Sequence, residues 1–124
     1  LIEILRDSGV NFRSKKIHFA TQAFQALRIE CNQELNNLKI FLEKIHQFIN
    51  NQGYLSILSF HSLEDRIIKN YFKDNKFSKR GLFHNDQNWG YEIITKKPII
   101  ASNEEIKNNP RSRSAKLRVG RFVN

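Results

Sequence analysis

Two periods of apolar and polar residues run along this chain, and the switch between them marks its centre. Phe24, Leu27, Cys31, Leu35, Leu38, Phe41, Leu42, Ile45, Phe48 and Ile49 recur every three or four positions, the spacing of one helix face. A helix over roughly residues 20–49 would measure about 45 Å if straight. A kink or break is expected near Asn32, whose side chain competes for backbone hydrogen bonds. The stripe itself reads as core material. Upstream, residues 1–6 look like the last turns of another helix, ended by Asp7, Ser8 and Gly9 and followed by a basic connector. Downstream, Asn50 to Gly53 form a turn into the dense apolar run Tyr54, Leu55, Ile57, Leu58, Phe60, which predicts a short buried strand. Ser62 with Asp65 three residues on has the spacing of a capping box, and Leu63, Ile67, Ile68, Tyr71 and Phe72 continue as a helix to about Lys73. His61, Ser62, Glu64, Asp65 and Arg66 therefore stand where the carboxyl end of a strand becomes a helix. In open α/β sheets that edge is where ligands bind.

The remaining elements are shorter. Residues 74–90 read as a polar surface loop, long enough to suggest a binding role. Trp89 to Thr95 predict a strand, edged by Lys96, Lys97 and Pro98. Ser102 and Glu105 form a second capping-box pattern, opening a helix that Asn109 and Pro110 close. From Ser114 to Val123, Ala115, Leu117 and Val119 alternate with Lys116, Arg118 and Gly120, which predicts a strand with one buried and one basic face. Helix, strand, helix and further strands place the chain in the α/β class.

Composition narrows the partners. Lys and Arg number 21 against 12 Asp and Glu, a formal net charge of +9 in 124 residues. That balance favours a polyanion, nucleic acid before membrane. Eight basic residues against three acidic ones fall in residues 91–124, so the excess is concentrated there. The single cysteine, Cys31, excludes an internal disulfide framework and a Cys-based zinc cluster, and it reads as a small apolar helix residue of a reducing compartment. No apolar run approaches the ~20 residues of a membrane span. The chain begins at Leu1 and has no methionine, which reads as a piece of a longer protein.

Four stretches carry a resemblance. They are residues 18–29 (with Phe-Gln-Ala-Leu-Arg-Ile), 59–69 (with Ser-Phe-His-Ser-Leu-Glu-Asp-Arg), 95–99 (Thr-Lys-Lys-Pro-Ile) and 109–118 (Asn-Pro-Arg-Ser-Arg-Ser-Ala-Lys-Leu-Arg). In order and spacing the chain resembles the C-terminal part of the ribosomal RNA small subunit methyltransferase H (MraW) family. The resemblance implies S-adenosylmethionine-dependent methylation of the N4 amine of one cytidine in 16S rRNA, in the cytoplasm. It also implies a Rossmann-like methyltransferase sheet with an inserted helical domain. Residues 1–17 would then end the insert and 18–124 would form the C-terminal part of the methyltransferase domain, with the last three strands of its sheet. Two departures stand out: Phe19 and Gln22 replace the family's usual Pro and Arg, and Gln52-Gly53 replaces a Gly-Gly pair. The family's glycine-rich cofactor loop has no counterpart among glycines 9, 53, 81, 90 and 120, so no cofactor-binding residue is assigned and this fragment alone is expected to be inactive.

Chemistry at the strand-to-helix turn centres on His61. It could hold the base, orient a partner or receive a proton, or it could be a polar residue satisfied in a turn. Ser62 and Asp65 read as helix caps rather than catalysts. Arg66 fits a phosphate or a carboxylate equally. Arg111, Arg113, Lys116 and Arg118 are the RNA-contact candidates, against the alternative of a solvated basic strand edge. Lys15, Lys16 and Arg28 are weaker ones, and Phe83 and Trp89 could stack on bases or anchor their loop. A homodimer is left open. The alternative to the enzyme is a truncated, non-catalytic relative that only binds RNA.

Overall fold

The computed structural model describes residues 2–7, 19–77 and 88–124. It divides into two compact units, Leu1–Asn37 and Leu38–Asn124, with one helix running through the division.

The first unit contains α1 (Ile2–Asp7), α2 (Phe19–Cys31) and the start of α3 (Glu34–Ile45). The long helix expected over residues 20–49 is broken where Asn32 predicted it. Gln33 turns to a positive φ of 50°, and its backbone N–H and side-chain amide both donate to the Glu30 carbonyl, at 3.1 and 2.8 Å, closing the helix end. Glu34 then holds Arg28 at 2.9 Å and accepts from the Asn32 amide at 3.3 Å across the break. The expectation that the apolar stripe is core fails over much of its length. Phe24, Leu27, Phe41 and Phe48 are exposed, as is Cys31, while Leu42 is buried. Among the described residues, Leu38, Ile45 and Ile49 are the stripe residues packed against the core cluster of the second unit, to which they belong.

That second unit is built on β4 (Lys116–Val123). On one side it pairs antiparallel with β1 (Tyr54–Ser59), from Tyr54 opposite Arg121 to Ser59 opposite Lys116. On the other side β2 (Gly90–Ile93) and the two-residue β3 (Ile99–Ile100) lie end to end, also antiparallel. The bend between them is held by Thr95, whose hydroxyl accepts from Val119 N at 2.9 Å in place of a backbone carbonyl. Among the described residues no strand pairs with the outer edge of β1. The turn before β1 places Gln52 at φ 66°, a left-handed conformation that glycine adopts freely and glutamine adopts at a cost. It is the position at which the sequence departs from Gly-Gly.

Helix α4 (Ser62–Asp74) covers one face of the sheet with Asp65, Ile68 and Phe72, a three-four spacing that keeps all three on one side. Leu55, Ile68, Phe72, Tyr91 and Phe122 form the buried core. Phe72 meets Tyr91 edge-on at 5.3 Å, and Trp89 stacks on His46 at 4.2 Å, anchoring its segment to the 3-10 turn that follows α3. The Tyr71 and Tyr91 hydroxyls share a hydrogen bond of 3.2 Å, and burial pushes both phenols above their ordinary pKa.

The alternation of β4 is the reverse of the one expected. Arg118, Gly120 and Phe122 are its buried residues, beneath α4, whereas Leu117 and Val119 are half-buried on the opposite face. Two contacts explain this. An ion pair neutralises Arg118, and at Gly120 the Phe72 ring comes so close that an added Cβ would stand 2.6 Å from it. Gly120→Ala is therefore expected to force that ring aside and destabilise the unit by about 1–3 kcal/mol in denaturant melts.

Candidate functional site

The turn at the end of β1 is capped one residue earlier than the Ser62–Asp65 spacing suggests. His61 is the N-cap, with φ −143° and ψ 164°, and its Nδ1 accepts from Glu64 N at 3.3 Å. The Glu64 carboxylate reaches back to accept from Phe60 N at 2.9 Å and His61 N at 3.3 Å. This is a capping box made by His61 and Glu64, and it satisfies donors that the helix start would otherwise orphan. Its consequence for His61 is chemical. A neutral imidazole has one acceptor nitrogen, and here that nitrogen is in the cap. The ring proton therefore sits on Nε2, which lies 3.5 Å from Glu64 Oε1 and has no well-formed hydrogen bond. As placed, His61 can donate at Nε2; to accept a proton there it would first have to leave the cap.

Asp65, freed from capping, does other work. Its Oδ1 accepts from Arg118 Nε at 2.7 Å and its Oδ2 from Arg118 Nη2 at 3.3 Å, a fork from β4 onto α4. Lys116 Nζ adds a third contact at 3.4 Å. The Arg118 hydrogen bond, opposed by burial and reinforced by the charges of Arg118 and Lys116, holds the Asp65 carboxyl below its ordinary pKa. Of the four RNA-contact candidates in the tail, Arg118 is thus buried in an internal ion pair, and Lys116 is half-buried beside it.

The other two are presented differently from the expectation that a strand holds them. Arg111 and Arg113 lie in a 3-10 turn, Pro110–Ser114. Both are exposed, while Ser112 between them is buried and donates its hydroxyl to the Asn109 carbonyl at 2.8 Å. Pro110 at the first position suits such a start. The turn is fed by α5 (Asn103–Asn108), whose N-cap Ser102 accepts from Glu105 N at 3.1 Å, as its spacing predicted. A groove of about 520 Å³ opens here on the sheet face opposite α4. Leu58, Phe60, Ile99 and Leu117 floor it, and Glu105 and Arg111 edge it. Phe60 is half-exposed and immediately precedes His61. Neither this groove nor Phe60's place in it was foreseen, because β3 is two residues long and the apolar run was read as buried throughout.

Arg66 is exposed on α4. Arg28 is engaged by Glu34. Lys15, Lys16 and Phe83 lie outside the described residues. Glu64 and Asp65, the carboxylates nearest the end of β1, are both consumed within the fold, and the described glycines form no glycine-rich turn. These residues do not form a cradle for S-adenosylmethionine. Among the described residues, no helix is long and apolar enough to cross a membrane.

The second unit thus joins a capped strand-to-helix turn, an apolar groove edged by Arg111, and an exposed Arg113 in the same 3-10 turn. Comparison with known proteins defines it further. A family model described as the MraW methylase family matches residues 1–123, and the chain belongs to that family. Similar curated proteins include the ribosomal RNA small subunit methyltransferase H of Sulfurihydrogenibium sp., 53% identical over 113 residues, covering 91% of this chain and 35% of the relative. That of Petrotoga mobilis is 48% identical over 106 residues, covering 86% and 32%. That of Rickettsia typhi is 46% identical over 131 residues, covering 99% and 42%. The chain thus spans well under half the length of these relatives.

The Asp65 pair sets an acid limit on stability. A carboxyl whose folded pKa is depressed contributes stability above its unfolded value, near 3.8, and loses it as pH falls through the folded value. Denaturant midpoints should therefore hold above about pH 5 and drop steadily below 3.8, and Asp65→Asn should flatten that part of the profile.

Proposed function

We propose that this chain is the substrate-side portion of an S-adenosylmethionine-dependent rRNA methyltransferase acting on the N4 amine of a cytidine in 16S rRNA of the small subunit. Membership in the MraW methylase family supports the class of reaction, and the printed names of the relatives support the rRNA substrate. The observation that carries the reading to particular residues is the groove at the end of β1, lined by Phe60 and Arg111, with His61 next in sequence to Phe60.

The chemistry sets what such a site must do. The exocyclic amine of cytosine is a poor nucleophile because its lone pair is delocalised into the ring. Catalysis depends on holding the amine in one orientation and keeping water out. In this reading an unpaired base lies against Phe60 and the apolar floor, since ring stacking is tolerant of base identity. Arg111 and Arg113 hold the adjoining phosphates, for which the guanidinium fork is suited. His61 orients the base by donating to cytosine O2 or N3 from Nε2, an atom that is buried in this structure and is uncovered when the base binds. Lys116 adds positive charge beside Asp65, and Arg66 takes a phosphate at the start of α4.

The cofactor falls to a part of the protein outside this chain. The coverage of the relatives leaves room for it, and the outer edge of β1 is where the rest of a Rossmann-like sheet would pair. Residues 1–17 close the inserted helical domain on this reading, and 18–124 complete the methyltransferase domain. The consumed carboxylates also favour a second reading, a relative that binds RNA without methylating it.

Capping and substrate contact by His61 are separable. His61→Asn keeps a side-chain acceptor for Glu64 N, so the helix start should survive, whereas His61→Ala should cost about 1 kcal/mol of stability. In a methylation-competent protein carrying this chain, both variants should lower transfer at least tenfold with rRNA affinity little changed. If His61→Asn methylates at the original rate, His61 is a cap alone.

A further inference from the structure

The outward side of α4 carries charge that neither the capped turn nor the Arg111 groove uses. Arg66, Lys69 and Lys73 follow at intervals of three and four, and Lys76 continues the line three residues later. At 3.6 residues per turn Arg66, Lys69 and Lys73 fall within an arc of about 60°, and Lys76 follows just past the end of α4. All four are exposed. The acids of α4 do not offset them: Glu64 is in the cap, Asp65 is held by Arg118, and Asp74 lies outside the arc. Among the described residues none of these four cations, nor Lys96, takes part in an ion pair.

The lysines Lys69, Lys73, Lys76 and Lys96 border a second cavity, a groove of about 820 Å³ between α4 and the end of β2. Lys69, Lys73 and Lys76 form one wall and Lys96 stands on the other, while Phe72, Ile93 and half-exposed Ile94 contribute the apolar lining. Two more charged groups reach the groove, and both are already matched. Arg118 is on Asp65, and Glu92 is paired across the strands with Arg121. Four lysines are thus left to set its potential. The groove lies on the α4 side of the sheet: Arg118 lines it, whereas the next residue back, Leu117, lines the groove beside Arg111. The two grooves therefore open on opposite faces of β4.

We propose that the α4–β2 groove is a second RNA-binding site, which takes a single-stranded segment at a distance from the target nucleotide. The proposal rests on the rRNA reading above. Charge complementarity selects a polyanion, since a row of lysines at about one helical turn's spacing presents point charges to successive phosphates without demanding a base sequence. Concavity and the apolar lining select single-stranded nucleic acid over a membrane surface. A strand can lay unstacked bases against half-exposed Ile94 while its phosphates meet the lysines; a flat bilayer cannot follow the groove floor.

The test uses the full chain and a single-stranded RNA oligonucleotide, with affinity measured by fluorescence anisotropy across a salt series. Lys69, Lys73 and Lys76 changed together to Gln should weaken binding at least tenfold at low salt. The same change should reduce the slope of log affinity on log salt by about two, the release expected for three phosphate contacts on a single strand. The same three positions changed to Arg should restore the slope, which guards against a loss of fold. Arg111→Ala with Arg113→Ala gives an independent reduction. Unchanged affinity and slope in the triple Gln variant, with the arginine pair still effective, would mean that the lysines form a solvated face and would overturn the second site. No effect from either set would remove the rRNA reading as well. Loss of binding to phosphatidylglycerol vesicles without loss of RNA binding would also overturn the proposal.

Discussion

Asp65 is the one buried carboxylate among the described residues, and two cations of β4 close on it. This contact joins the first turn of α4 to the central strand, so it fixes where the strand-to-helix turn lies on the sheet. Burying an ion pair contributes little net stability, because desolvation offsets most of the attraction. Its effect is on arrangement: with Arg118 pointing under α4, the neighbouring positions of β4 must follow the pleat, which puts Gly120 and Phe122 beneath the helix and leaves Leu117 to the other face. Removing Asp65 would strand the buried Arg118 charge, a change costing about 3 kcal/mol, whereas removing Arg118 leaves Asp65 with half-buried Lys116. The rings of Phe72 and Tyr91 then fill the space above Gly120, and the core closes around them.

From that constraint the division of labour on the surface follows. Charges near the turn split into those consumed by the fold and those left for a partner. Glu64 and His61 cap, Asp65 and Arg118 clamp, and Glu92 pairs with Arg121. Arg111, Arg113 and the lysine row of α4 remain outside. The positive excess in the composition is therefore real at the surface, but it is not distributed as the basic tail suggests. Part of the tail is internal, and part of the usable charge sits on a helix in the middle of the chain.

The sequence made the order of elements readable because each has a local signal. Asn32 marked the break between α2 and α3, Ser102 with Glu105 marked α5, and the apolar run marked β1. Family membership was readable from motifs that run together over most of the chain. Three things were not. The capping box was shifted by one, since His61–Glu64 and Ser62–Asp65 have the same spacing and serine is the commoner cap. The face of β4 was inverted, because an alternation of apolar and basic residues does not reveal a partner for Arg118 fifty-three positions away. The spacing of the helix stripe predicts core, yet Phe24, Leu27, Phe41 and Phe48 are exposed. Periodicity tells which residues share a face but says nothing of what covers it.

The central claim is that Asp65 and Arg118 act as a unit that positions the turn. A double-mutant cycle on unfolding free energy tests it most directly, using Asp65→Leu, Arg118→Met and the two together. The account predicts a loss of about 3 kcal/mol for Asp65→Leu, a smaller one for Arg118→Met, where Lys116 stays on Asp65, and a double-variant loss well below the sum. Additive losses in the double variant would contradict it.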